Sequence, residues 1–260
     1  MNMRLAKNTY LMIKKRLVRH FDTRLFFMHF PKCGGTSVDY AIRLHRHNNS
    51  VRHQFHMNAE AAATAARLSK MTWKAYNETL LLYAMANPQT TYITGHYFFS
   101  QTAHEHFGDT WDFITILRDP VARWFSQYYF NRNKSNQFLK TDLSLEAYLA
   151  SPHGQNSAGT YSTMLEGDEN NWEVDPEQTV QNAIENLNRF HLVGCLEHMD
   201  QFVTRFKERY GISLNIRNMR KNPTPNYTQR NEITPAVREK VEHLCRYDLM
   251  IYRHALEHFC

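Results

Sequence analysis

The chain has little of what marks a membrane, fibrous or low-complexity protein. Its 260 residues include only 9 glycines and 8 prolines, and no uninterrupted apolar run is long enough to span a bilayer. The hydrophobic content of 42% is more than a disordered chain carries. The composition therefore predicts a soluble globular protein with a core for one domain or at most two.

Cysteine is scarce as well. The four cysteines, Cys33, Cys195, Cys245 and Cys260, are too few for a disulfide scaffold at this length, and no two of them form a CxxC pair. We therefore expect reduced thiols, as in a cytoplasmic protein.

The sequence also lacks a recognisable metal-binding motif, although the chain has 15 histidines. The pairs His104/His106 and His254/His258 do not form HExxH, in which a glutamate directly follows the first histidine. Solvent-exposed helix or loop positions are the better interpretation, and we expect no metal.

The charge is moderately positive. Lys and Arg total 31 against 25 acidic residues, giving a net charge of +6 and a pI of about 9.1. This balance favours an anionic partner but leaves nucleotide, sulfated sugar, nucleic acid and membrane surface open. No helix-turn-helix, zinc-finger or RNA-recognition motif is present, which argues against nucleic acid.

The first 22 residues form a basic amphipathic segment. Leu5, Ile13, Leu17 and Phe21 recur at multiples of four residues, which predicts a helix. Two interpretations stay open: the helix lies on an anionic membrane surface, or it packs on its own domain. It lacks the apolar stretch and cleavage site of a secretory signal.

Strands and helices then alternate. Strands are predicted at 25–29, 90–95, 113–117 and 191–196, and helices at 36–45, 58–70, 73–86, 120–132, 176–190 and 199–210. Asp119 is a predicted N-cap, with Pro120 at the first helical position. The alternation predicts an α/β fold in one domain, with a parallel sheet of the P-loop type and helices on both faces.

The turn after the first strand has the composition of a phosphate-binding loop. It reads Phe-Pro-Lys-Cys-Gly-Gly-Thr-Ser over residues 30–37, and its two glycines allow the backbone to approach a ligand at a helix N-terminus. Lys32 precedes the glycines, so the loop is not the nucleoside-triphosphate motif GxxxxGK[ST]. The alternative is a plain turn with a glycine pair.

A second segment supports the phosphate interpretation. Arg118 ends the third predicted strand, and Ser126 lies two helical turns further on. A guanidinium and a hydroxyl at this spacing can converge on a second phosphate. The alternative is that Arg118 pairs with Asp119 or another local acid, which would leave Ser126 without a role.

These segments resemble the signature regions of the sulfotransferases that use 3′-phosphoadenosine 5′-phosphosulfate (PAPS). The likeness extends from about residue 26 to 259. It is greatest to the carbohydrate branch, the enzymes similar to heparan and uronyl 2-O-sulfotransferases, and to the bacterial relatives of that branch. It implies a leader at 1–22 and a sulfotransferase domain at 23–260. It also implies donor-binding roles for Lys32, Cys33, Gly34, Gly35, Thr36, Ser37, Arg118, Ser126, Arg220 and Lys221.

Two of those roles are sharper. By the resemblance, His96, in the context Gly95-His96, is the general base that deprotonates an acceptor hydroxyl, and Lys32 stabilises charge on the departing phosphate. The reaction implied is direct in-line transfer from PAPS without a metal. Cys33 is either a reactive thiol or a small filler in the loop.

The acceptor is predicted more coarsely, as a carbohydrate or glycolipid hydroxyl. His29 stands where the heparan-type enzymes have an arginine, which argues against a uronate. A basic stretch could line a cleft for an anionic glycan or form a solvated face; it comprises Arg43, Arg46, Arg52 and His53.

The alternative function is a small-molecule or nucleoside kinase, which the order of Lys32 and the glycines disfavours. The chain reaches the glycine loop by residue 31 without a membrane anchor or stem, so we expect a bacterial cytoplasmic enzyme rather than a truncated Golgi-lumenal one.

Overall fold

A parallel sheet of five strands lies at the centre of the described structure. The strands are β1 (Leu25–Met28), β2 (Gln54–His56), β3 (Tyr92–Gly95), β4 (Asp112–Leu117) and β5 (Leu192–Cys195). Their order is β2-β3-β1-β4-β5, and every neighbouring pair is parallel. The predicted α/β fold with a parallel sheet is confirmed.

Helices connect the strands and follow the last one. They are α1 (Gly35–Leu44), α2 (Ala59–Leu68), α3 (Trp73–Ala86), α4 (Gln101–Phe107), α5 (Pro120–Asn133), α6 (Leu145–Ala150), α7 (Pro152–Ala158), α8 (Thr160–Glu166), α9 (Pro176–Leu187), α10 (Met199–Tyr210), α11 (Pro235–Leu244) and α12 (Arg246–Phe259). A 3₁₀ turn, Leu196–His198, links β5 to α10.

The computed structural model describes residues 23–45, 53–167, 175–216 and 232–260. The predicted basic helix at 1–22 lies outside these ranges, as do Arg46, Arg52, Arg220 and Lys221. The division into a leader at 1–22 and a domain at 23–260 stays a prediction.

Both faces of the sheet are covered, which explains why β1 is apolar throughout. Phe26 and Met28 face one core with side chains of α3, α9 and α12, whereas Leu25 and Phe27 face a second core with side chains of α1 and α10. Successive strand residues point to opposite faces, so a strand covered on both sides needs an apolar residue at each position. Each such buried side chain contributes about 1.5–3 kcal/mol to folding.

The start of α5 is the clearest case of a helix specified locally. The Asp119 carboxylate accepts a hydrogen bond of 2.7 Å from the Ala122 amide, and Pro120 occupies the first turn. Both features were predicted, and both are confirmed. This start matters for the site because it fixes how the α5 side chains follow the end of β4.

The cysteines differ from the prediction. Cys195, at the end of β5, forms a disulfide with Cys260, directly after α12. The expectation of reduced thiols is therefore wrong for this pair, while Cys33 and Cys245 are free and buried. The two partners are 65 residues apart in sequence, and only the packing of α12 beside β5 brings them together.

Within the described ranges, the helices are too short or too polar to cross a lipid bilayer.

Candidate active site

A cleft of about 1180 Å³ lies at the carboxyl ends of the strands. His29, His96, Arg118 and Leu196 each directly follow the last residue of a strand, and all four line the cleft. Asn58 lines it two residues beyond β2. Because parallel strands end at the same edge of a sheet, the segments predicted to carry the chemistry meet here.

The strand order determines the order of these groups across the cleft. The loop after β1, with Lys32, lies in the middle; His96 lies on the β3 side and Arg118 on the β4 side. Asn58 and Leu196 follow the two edge strands, β2 and β5. A histidine and a guanidinium therefore flank the glycine loop from opposite sides.

The glycine loop has an unusual backbone. Lys32 and Gly34 both have left-handed conformations, with φ values of 66° and 75°. For a residue other than glycine this costs about 1–2 kcal/mol, and such strain is concentrated at functional sites. Gly34 is the N-cap of α1, and the first turn of that helix lines the cleft. The partial positive charge of a helix N-terminus favours an anion there.

Gly35 is required by close packing rather than by its backbone angles. A Cβ atom at this position would lie 2.0 Å from the ring of His29. His29 is held in turn by stacking on Phe27, with ring centroids 5.5 Å apart. The glycine therefore lets α1 begin directly against the end of β1.

The side chains of the loop divide between the cleft and the core. Thr36 and Ser37 line the cleft, and their role as ligands of a phosphate stays a prediction. The thiol of Cys33 is fully buried and lies 3.2 Å from the hydroxyl of Tyr161. Burial raises the pKa of this thiol to about 11, so it stays protonated at neutral pH. Of the two interpretations of Cys33, the structure favours the small filler.

Lys32 and Arg118 are both held in place by contacts at the glycine loop, one with an aromatic ring and one with a backbone carbonyl. The Lys32 ammonium lies 3.9 Å from the ring centroid of Phe130, a cation–π contact that holds it at the cleft. The Arg118 guanidinium donates a hydrogen bond of 3.1 Å to the carbonyl of Lys32. Since the Asp119 carboxylate caps α5, the local pairing of Arg118 with Asp119 is disfavoured. Arg118 and Ser126 line the same cleft.

The protonation state of His96 follows from its hydrogen bond. Its Nδ1 lies 2.5 Å from the carbonyl oxygen of His29, and a carbonyl only accepts, so Nδ1 carries the proton. Nε2 then holds a lone pair. Burial lowers the pKa of His96 and outweighs the hydrogen bond to His29, which raises it; the neighbouring His56 lowers it further, so the ring is neutral at physiological pH. A neutral imidazole in a cleft can accept a proton from a hydroxyl.

Tyr161, on α8, contacts the backbone of Arg118, a contact that the sequence did not indicate. Its hydroxyl lies 2.8 Å from the Arg118 amide nitrogen and 2.7 Å from the Arg118 carbonyl oxygen. Phe130 was also missed. Neither residue belongs to a recognisable motif, and no local signal in the sequence could have indicated Tyr161, which is 43 residues from Arg118.

Residues 22–193, more than half of the chain, match the family model of the sulfotransferase domain. The chain belongs to the sulfotransferase family. It is similar to galactose-3-O-sulfotransferase 2 of Mus musculus, with 24% identity over 159 residues. That alignment covers 55% of this chain and 38% of the relative, so the chain matches well under half of the relative's length.

The residues of the cleft fit the PAPS donor that the family uses. Gly34 and Gly35 leave room where a Cβ would meet Leu196 or His29, and Lys32 and Arg118 supply positive charge. Among the residues that the structure describes, no cluster of three or more His, Cys, Asp or Glu side chains is arranged to hold a metal ion. Transfer without a metal stays a prediction.

Proposed function

We propose that this sulfotransferase transfers the sulfuryl group of PAPS to a hydroxyl of a carbohydrate or glycolipid by direct in-line displacement. The observation that carries the proposal is the convergence of Lys32, His96, Arg118 and Ser126 on one cleft at the ends of β1, β3 and β4. A donor with charge at both its 5′ and 3′ positions matches two cationic groups on adjacent strands.

The donor would lie over β1, β4 and β5. In this proposal the first turn of α1, from Gly34 through Ser37, holds the 5′ side by its amides and hydroxyls. The 3′-phosphate binds to Arg118 and Ser126. Apolar side chains on the β5 side of the cleft would cover the adenine ring of the donor; they are Leu196, Met199 and Ile216. Cys33 contributes only its backbone, because its side chain is buried.

Two residues, Lys32 and His96, have separate roles in the proposed chemical step. PAPS, when bound, supplies a sulfuryl group attached to a phosphate leaving group. Lys32, at the mouth of the glycine loop, stabilises negative charge on that phosphate. His96 takes the proton of the acceptor hydroxyl at Nε2, since Nδ1 is committed to the carbonyl of His29. Arg220 and Lys221 remain proposed members of a loop over the donor.

The acceptor would approach from the β2 side, past His96. Glu60 lines this half of the cleft together with Asn58, and it accepts a hydrogen bond of 3.1 Å from Asn136. A carboxylate disfavours an anionic sugar, so we infer a neutral sugar, consistent with the galactose in the relative's name. The finer resemblance to the uronyl branch stays a prediction that Glu60 and His29 argue against.

The location of the enzyme also stays a prediction. A cytoplasmic enzyme is at odds with the Cys195–Cys260 disulfide, because such bonds form and persist in oxidising compartments. Membrane contact through 1–22 and the absence of a nucleic-acid partner are untested. The kinase alternative is set aside, because the family match and the position of Lys32 both oppose it.

The decisive experiment is calorimetric titration with 3′,5′-adenosine diphosphate (PAP), beside ATP and 5′-AMP, without added metal. We expect PAP to bind most tightly, and Arg118→Ala to weaken it by about 10–100-fold, the worth of hydrogen bonds to a charged group. Arg67→Ala, an exposed arginine on α2, is the matched control and should leave PAP binding unchanged. Equal or tighter binding of ATP would contradict the proposed function.

A further inference from the structure

One buried hydroxyl connects the two donor-binding segments. Tyr161 is fully buried, and its Oη contacts Arg118 at the end of β4 and Cys33 in the loop after β1. Neither contact belongs to the chemistry proposed above. The segments come from different strands, and Tyr161 comes from a helix that neither of them adjoins in sequence.

The hydrogen-bonding capacity of the hydroxyl is fully used. Tyr161 donates its single proton to the Arg118 carbonyl at 2.7 Å and accepts from the Arg118 amide at 2.8 Å. The remaining lone pair lies 3.2 Å from the Cys33 sulfur, whose S–H can donate to it. Burial raises the pKa of Tyr161 well above its ordinary value, which keeps the O–H proton in place.

Tyr161 is itself held firmly at its backbone. The buried Asp248 carboxylate, on α12, accepts hydrogen bonds of 2.9 Å from the amides of Tyr161 and Ser162 and one of 2.6 Å from the Ser162 hydroxyl. The buried guanidinium of Arg123 lies 5.7 Å from the centroid of the Tyr161 ring and is a compensating positive charge for Asp248. The ring also packs edge-on against Phe30 at 4.9 Å.

We propose that Tyr161 is a positioning residue that holds the glycine loop and the Arg118 segment at a fixed spacing, and so selects nucleotides with phosphates at both the 3′ and 5′ positions. This inference rests on the proposed donor site. Two anion sites at a fixed spacing bind a ligand that carries both anions far more tightly than either anion alone, because the second contact is intramolecular. A variable spacing would lose that advantage while leaving each separate site intact.

The test is the preference of the whole enzyme for PAP over the singly phosphorylated 5′-AMP and 3′-AMP, measured by calorimetry. Tyr161→Phe keeps the ring contacts with Phe30 and Arg123 but removes the hydroxyl. We expect the affinity for PAP to fall about tenfold or more, while 5′-AMP and 3′-AMP bind within about twofold of their original affinities. The ratio of affinities for PAP and 5′-AMP therefore decreases by a similar factor.

Tyr92→Phe is the matched control. Tyr92 is equally buried and donates a hydrogen bond of 2.9 Å to Asp39, but it lies at the opposite end of β3 from the cleft. It should lower stability without changing the ratio. Cys33→Ala is the second variant, in case Tyr161→Phe does not fold. It removes the contact of the loop with Tyr161, together with a 3.6 Å contact from the thiol to the Pro31 carbonyl in the same loop, and it too should lower the ratio.

The outcomes separate the two proposals. Equal losses for all three ligands in Tyr161→Phe, or an unchanged ratio in that variant and in Cys33→Ala, would overturn the positioning role and leave the donor site standing. If the unmodified enzyme itself showed no preference for PAP over 5′-AMP, the proposed function would fail instead, and the positioning role with it.

Discussion

At the scale of single residues, the feature with the clearest chemical consequence is the tautomer of His96. The carbonyl of His29 can accept only from a protonated Nδ1, so the ring presents the unprotonated Nε2 as its second nitrogen. Burial opposes the charged form and lowers the pKa of the ring. The hydrogen bond to His29 fixes the tautomer and by itself raises the pKa, but burial outweighs it, so the ring stays in the neutral form that a general base requires.

This state predicts the pH profile of transfer. Because the pKa of His96 is lowered, the neutral base persists below the ordinary histidine value of 6.5. We expect kcat/KM to be flat through neutral pH and to fall only below pH 6.5. His96→Ala should remove this acid limb and reduce kcat by about 10²–10⁴-fold, while PAP binds as before. Steady-state rates across the pH range and PAP calorimetry provide the check.

The control is His106→Ala, an exposed histidine on α4, which should leave the rate and profile unchanged. Full turnover by His96→Ala would refute the assignment of the base. Loss of PAP binding in that variant would instead show that His96 supports the donor site.

At the scale of elements, local signals predicted some structure well and left other parts out. The capped start of α5 and the extent of α3 were correct because a cap and a helical spacing are written in neighbouring residues. β2 was missed because Gln54–His56 is a three-residue edge strand that is only partly buried, so it carries no alternating apolar pattern. The short helices α4, α6, α7 and α8 were also missed, because six or seven residues are too few to show the apolar spacing of a helix.

The site divides in the same way. Lys32, the glycines and Arg118 could be proposed from the sequence because they belong to contiguous motifs at strand ends, and the structure places them on one cleft. Tyr161 could not, because its contacts reach 128 residues back to Cys33 and 43 residues back to Arg118. Such partners are determined by packing of α8 against α9 and α12, which no local pattern encodes.

The close contact between α1 and β1 supports a prediction at this scale. In Gly35→Ala the added Cβ would overlap the His29 ring, so α1 or the ring must move and the glycine loop with it. We expect a loss of stability of about 1–3 kcal/mol, as for overpacked cores, and a loss of PAP affinity. Urea unfolding and PAP calorimetry on the same preparation provide the measurement.

Two further variants isolate the cause. Gly211→Ala has no neighbour within 4 Å and has a φ of 69°, so it should cost only the left-handed backbone penalty of about 1–2 kcal/mol and leave PAP binding intact. Gly35→Ala combined with His29→Ala restores the missing space and should regain PAP affinity. If it does not, the ring of His29 is not what requires the glycine.

At the scale of the whole molecule, the C-terminal helix α12 connects the core to the site. Its Ile251 and Ala255 pack in the core on one face of the sheet, and its Asp248 holds the backbone of Tyr161. The Cys195–Cys260 disulfide joins the residue after this helix to the end of β5. The last part of the chain therefore stabilises the carboxyl end of β5, one of the strand ends at which the cleft lies.

The disulfide leads to a prediction for the molecule as a whole. It closes a loop of 65 residues, and the chain-entropy model assigns such a crosslink about 4 kcal/mol of stabilisation. Cys195→Ala/Cys260→Ala should lower the free energy of urea unfolding by up to that amount. Reductant should destabilise the unmodified enzyme by a similar amount and leave the double variant unaffected.

In the unfolded, unreduced enzyme, thiol titration should detect only Cys33 and Cys245. Four reactive thiols and stability indifferent to reductant would show that the bond does not form in solution, and would restore the expectation of a reducing compartment.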